Sequence, residues 1–164
     1  MLFYDDFIKK LENTNIKLKD KYKFGLNFTK KIVWMGTGIP ITLIGGFQFW
    51  MLKTNGGNLI GFILSLLMVL FGLYNIKMSF AYKIEIDVIN KQLINKQFTV
   101  ELDKVKLIEL RKMVAPKSKK LEACLDIITH DKKQIILPLI MNNKLEFTSI
   151  IKEITSDKFV IIKD

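Results

Sequence analysis

Few side chains in this 164-residue chain could carry a reaction. His130 is the single histidine and Cys124 the single cysteine, so there is no histidine cluster or thiolate pair to hold a metal. His130 lies in the polar stretch THDKK and reads as a solvated turn residue, while Cys124 reads as an inert thiol on a strand. The acids Glu101/Asp103 and Asp126/Asp131 are spaced as strand or turn surface residues, and nothing singles out an acid/base pair. No glycine follows Gly72, which excludes P-loop and dinucleotide-binding cradles from the C-terminal half. The chain therefore reads as a non-enzyme with no metal and no cofactor.

What remains is the chemistry of binding anions. The segment RKMVAPKSKK carries Arg111, Lys112, Lys117, Lys119 and Lys120 and no acid, and Lys104 and Lys106 precede it on what reads as the same strand. These seven residues form the candidate site for an anionic group. The ligand could be a lipid head group or a small phosphate compound such as a nucleotide, and the bland alternative is a solvated loop. Long nucleic acid fits worst, because no aromatic residues are interleaved for base stacking. The formal net charge of +10 points to an anionic partner in general terms.

The elements that must position this segment begin in the first half. Between Ile32 and Ile76 the only charged residue is Lys53. Ile32 to Leu52 is a run of twenty-one uncharged residues, and Leu59 to Ile76 one of eighteen. At about 1.5 Å per residue each approaches the roughly 30 Å of a bilayer core. A soluble remainder of this size could not bury two such helices on every side, so residues 32–77 are expected to form a transmembrane hairpin, 32–52 and 59–76. Lysines crowd the outer flanks (Lys21, Lys23, Lys30 and Lys31 before; Lys77, Lys83, Lys91 and Lys96 after), against Lys53 alone in the connecting turn. By the positive-inside rule both termini of this two-span protein are expected in the cytosol and the Gly-rich turn outside. Gly57, Gly61, Ser65 and Gly72 are the candidate helix-packing residues, either within the hairpin or between copies in a homo-oligomer. Pro40 is expected to kink the first span.

Residues 1–31 read as a cytosolic N-terminal segment. There Phe3, Phe7, Ile8 and Leu11 give a short amphipathic helix suited to packing on protein. Residues 78–164 change period. YKIEIDV alternates Tyr82, Ile84, Ile86 and Val88 against Lys83, Glu85 and Asp87, the pattern of a half-buried strand. QLINK, FTVELD and KVKLIELRKMV follow, the last with an expected bulge. LEACLDIIT alternates Leu121, Ala123, Leu125 and Ile127 against Glu122, Cys124 and Asp126. QIILPLI is confined by Pro138 to an edge or an end. NNKLEFTSIIKEIT reads as a helix capped by Asn142 or Asn143, and KFVIIKD reads as a closing strand or tail. The expected fold class is an α+β membrane protein: a two-helix hairpin, then an antiparallel β-rich cytosolic domain with a C-terminal helix.

Tyr82 to Asp87 with Lys91, Val105 to Leu110, Leu125 to Thr129 and Gln134 to Leu137, followed by the terminal helix, together resemble the pleckstrin-homology-like domains of small bacterial membrane proteins. The resemblance covers about residues 80–155. It implies an antiparallel fold of five or so strands closed by a terminal helix, and an interaction role with membrane lipids or a protein partner. In a domain of this kind a basic hairpin loop is where phosphorylated groups bind. The alternative function is an oligomeric membrane effector gated by an anionic nucleotide second messenger. The layout resembles such effectors of antiphage and CRISPR systems in architecture only.

Overall fold

The computed structural model describes residues 2–114 and 121–163, with side chains in the first helix from Tyr4 onward. Phe3, expected on the apolar face of that helix, and Lys117, Lys119 and Lys120 of the basic segment lie outside the described residues. The chain divides into two compact units, Met1–Phe24 with Lys83–Asp164, and Gly25–Tyr82. The N-terminal residues, expected as a separate segment, thus cluster with the C-terminal domain.

The discontinuous unit begins with α1 (Leu2–Glu12), where Tyr4, Phe7, Ile8 and Leu11 at helical spacing are all buried. β1 (Lys21–Gly25) follows. After the second unit come β2 (Lys83–Asp87), β3 (Gln92–Asn95), β4 (Phe98–Glu101), a 3-10 turn at Leu102–Lys104, β5 (Val105–Val114), β6 (Leu121–Thr129) and β7 (Gln134–Pro138). A C-terminal helix over Lys144–Thr155 and a short strand over Phe159–Ile161, labelled β8, complete it. One sheet has the order β1-β2-β3-β4 and the other β7-β6-β5-β8.

Alternation explains the core. Ile84, Ile86, Leu93 and Val100 point inward from the first sheet, and Ile108, Leu110, Leu125, Ile127 and Leu137 from the second. Phe147, Ile150 and Ile151 of the C-terminal helix are fully buried, with Phe147 edge-on to Phe24 at 5.1 Å. Burying each such side chain contributes about 1.5–3 kcal/mol before chain entropy is charged against it. The Tyr4 hydroxyl donates to the carbonyls of Leu110 and Ile162, joining the first helix to the last residues of the chain.

The structure departs from the expected layout in three places. β1 was not expected as a strand. β8 pairs with β5 in parallel, matching Ile108 to Phe159 and Leu110 to Ile161, so the second sheet is mixed rather than antiparallel. Asn143 precedes the C-terminal helix but makes no side-chain cap. Its φ of 48° is left-handed, and its amide turns to Glu146 instead. The expected bulge is present, as a register shift between Val105 and Leu107, and Pro138 ends the edge strand β7.

The second unit is a pair of helices, α2 (Phe28–Asn55) and α3 (Leu59–Ala81), both longer than the apolar runs that announced them. Asn27 and Asn58 cap their starts by accepting the amides of Lys30 and Gly61. Gly56, at φ 73°, ends the first helix in the left-handed conformation that glycine adopts without a Cβ penalty. α2 runs through Pro40 as a continuous helix. Both helices are long and apolar enough to cross a membrane, with mean hydropathies of 1.4 and 2.3.

Small residues line the seam between these helices. Ser65 and Gly72 are buried there, with Gly38 and Gly45 opposite. A Cβ on Gly72 would lie 2.7 Å from the Gly38 carbonyl oxygen, and one on Gly45 3.0 Å from that of Ser65. Gly61 abuts Leu52, and Gly57, in the turn before the second helix, lies against the same leucine. The four candidate packing residues therefore serve contacts inside the hairpin.

Candidate functional site

β5 and β6 carry the four described members of the basic set or stand beside them, and β5 spreads these out. Lys104 lies before the strand, in the 3-10 turn, rather than on it, and its ammonium is 2.7 Å from Glu101. Contact with that carboxylate raises the Lys104 pKa. From Lys104 to Lys112 the extended chain covers roughly 25 Å at 3.3 Å per residue, so these two lysines cannot share one small ligand. Lys106 is exposed. Lys112 sits over the Tyr4 ring at 4.6 Å, an arrangement that favours a cation on an aromatic face.

Arg111 is committed elsewhere. β5 and β6 pair Glu109 with Asp126 and Arg111 with Cys124, so these four side chains share the face of the second sheet opposite Ile108 and Leu110. Arg111 Nη2 donates to Asp126 Oδ2, and Arg111 Nε lies 3.7 Å from Glu109 Oε2. Gln134 Nε2 donates to both Asp126 oxygens, at 3.0 and 2.8 Å. Asp126 was expected at the surface and is instead fully buried, while the Arg111 side chain is 32% exposed. The physical reason is size: two longer side chains on flanking strands fold over a short one at the sheet centre. Arg111 therefore compensates a buried charge and is withdrawn from the set of free anion ligands.

His130, Glu101, Lys104, Asp131 and Lys133 surround a shallow open groove beside Thr99. Its two lysines face two acids, so it holds little excess charge for an anion. Cys124 is fully buried. Among the described residues no cluster of three or more His, Cys, Asp or Glu side chains could hold a metal.

The most perturbed carboxylate is Asp87, at the β2–β3 turn. Its Oδ1 accepts the Asn90 amide at 3.0 Å, and its Oδ2 accepts the Asn90 side chain at 3.1 Å and the Lys21 ammonium at 2.9 Å. The Asn90 backbone bond foremost, then Lys21, lowers its pKa to about 2. Because the folded value lies below the ordinary 3.8, this stabilisation is complete above pH 4 and is lost as pH falls toward 2. Melting of the purified protein should decline over that window. Asp87→Asn should melt lower at pH 7 and show a shallower decline in acid, and an unchanged acid slope would refute this role.

Comparison with family models, with curated proteins and with solved structures yields no match. Function must therefore be argued from the chain's own physical chemistry. The buried pair Arg111–Asp126 and its partner Gln134 escaped sequence reasoning. The one available signal was an acid flanked by Leu125 and Ile127 in a strand, which alternation reads as solvent-facing.

Proposed function

We propose that this chain is an integral protein of a bacterial inner membrane, crossing it twice through α2 and α3 with both termini in the cytosol. Its α+β unit would act as a non-enzymatic interaction module of pleckstrin-homology-like layout, holding a cytosolic partner protein at the membrane. The observation that carries this reading is the insertion of a long apolar helical pair between β1 and β2 of a single sheet. Leu43, Phe47, Leu59, Ile60, Leu67 and Phe71 are all more than half exposed on those helices. Water would make such a surface costly, whereas hydrocarbon would not. A run of six strands, β2 to β7, followed by a helix supports the pleckstrin-like layout.

The oligomeric effector reading has less support. The small residues it would use between copies are occupied inside the hairpin, and the described cations are dispersed over β5 and its approach.

Topology is tested with a lone cysteine in a Cys124→Ser background. A cysteine replacing the exposed Asn55 at the end of α2 should react with an impermeant maleimide added to intact cells, and one replacing Ser156 should not. Extraction by alkaline carbonate, or labelling with the opposite sidedness, would overturn the membrane reading. In-cell cross-linking from Ser156→Cys should trap a partner protein, and a chain that repeatedly cross-links only to itself would overturn the interaction role.

A further inference from the structure

The first sheet has two ends that differ in charge, and we propose that the basic one rests on the anionic head groups of the leaflet that holds the hairpin. This rests on the membrane reading above and adds to it the lysines that meet the lipid. Lys83 and Lys23 converge on a single carboxylate, Glu85, at 2.6 and 3.9 Å, with both lysine side chains more than half exposed. The β2–β3 register matches Ile84 to Asn95, which brings the turn before Phe98 to the same end of the sheet and with it the exposed Lys96. Two ammonium groups thus share one carboxylate at this end, and Lys96 adds a further positive charge there.

The opposite end is balanced internally. Asp87 holds Lys21 at 2.9 Å, Asp103 holds Lys91 at 3.1 Å, and Glu101 holds Lys104 at 2.7 Å. Asp20, whose carbonyl accepts the Val88 amide, adds a further acid there. The uncompensated charge therefore lies where the chain leaves for α2 and returns from α3. Only Tyr82 stands between Ala81 and Lys83, and only Leu26 and Asn27 between β1 and α2. At no more than about 3.5 Å per residue, such connections keep Lys83 within the Debye length of about 8 Å from its helix end. The occupant follows from the chain itself, because a sheet fastened there meets the head groups of its own leaflet before any soluble anion. This basic end is separate from the Arg111–Lys120 segment that the sequence singled out.

The experiment reconstitutes the full-length protein in phosphatidylcholine vesicles, with and without phosphatidylglycerol. A neutral acetylating reagent is applied, and the rate at each lysine is read by mass spectrometry. Lys23, Lys83 and Lys96 should react several-fold more slowly in the anionic vesicles, with high salt restoring the rate. Lys19 and Lys91, toward the other end of the sheet, should react alike in both. Equal rates at the three lysines, or an equal slowing at all five, would overturn the proposal. Carbonate extraction of the same vesicles separates the two readings. A protein that resists extraction but shows no lysine protection refutes this inference alone, whereas an extracted protein refutes the membrane reading on which it rests.

Discussion

Replacing Arg111 with alanine should destabilise the α+β unit by about 3 kcal/mol. That is the lower end of the range for removing one partner from a buried ion pair, because Arg111 is itself partly exposed. Asp126 would remain at the sheet centre with Gln134 as its only described partner. Asp126→Asn alone should cost less, since a neutral amide needs no counter-charge, and in the Arg111→Ala background it should recover most of the loss. Denaturant unfolding of the four proteins, read as a double-mutant cycle, checks this. Additive losses would mean that the two side chains do not depend on each other. A charge-reversing change at the exposed Lys106 should leave stability within about 0.5 kcal/mol, the usual span for surface changes.

The second large effect concerns the hairpin. Gly72→Leu should separate α2 from α3, because its Cβ alone would fall 2.7 Å from both the Gly38 carbonyl oxygen and the Thr42 amide nitrogen. These are backbone atoms of a helix and cannot turn aside as a side chain can. Overpacking typically costs about 1–3 kcal/mol, and a clash with backbone belongs at or above the top of that range. Gly46→Leu is the matched control, since nothing lies within 4 Å of its added carbon. Thermal melting in detergent should fall sharply for the first variant and stay near wild type for the second. Equal melting would mean that the seam is not formed as described.

Much of the layout was legible in the sequence where the signal is local. Two long uncharged runs announced α2 and α3, and strict alternation announced β2 and β6. What escaped depends on neighbours distant in the chain. KYKFG has only Tyr22 and Phe24 to alternate, and beside an apolar run of twenty-one residues it reads as a basic flank. The parallel pairing of β8 with β5 leaves no local pattern at all. Alternation assigned Asp126 to the correct face yet missed its burial, because exposure is decided by Arg111 and Gln134, fifteen and eight residues away. The four described members of the basic set lie apart for a related reason: charges close in sequence are spread out when the chain between them is extended.

The bond from the Tyr4 hydroxyl to the Ile162 carbonyl spans 158 residues, nearly the whole polypeptide. Its consequence belongs to biosynthesis. β1 emerges from the ribosome early and must wait for α2 and α3 to pass before β2 can pair with it. The parallel partner of β5 and the anchor for Tyr4 arrive only after every other described element of the unit. Closing loops of this length before their contacts form is slow. The unit therefore completes its fold only once Ile162 has emerged, and on the membrane reading only after its helices have entered the bilayer, so a folded sheet would certify a correctly inserted hairpin.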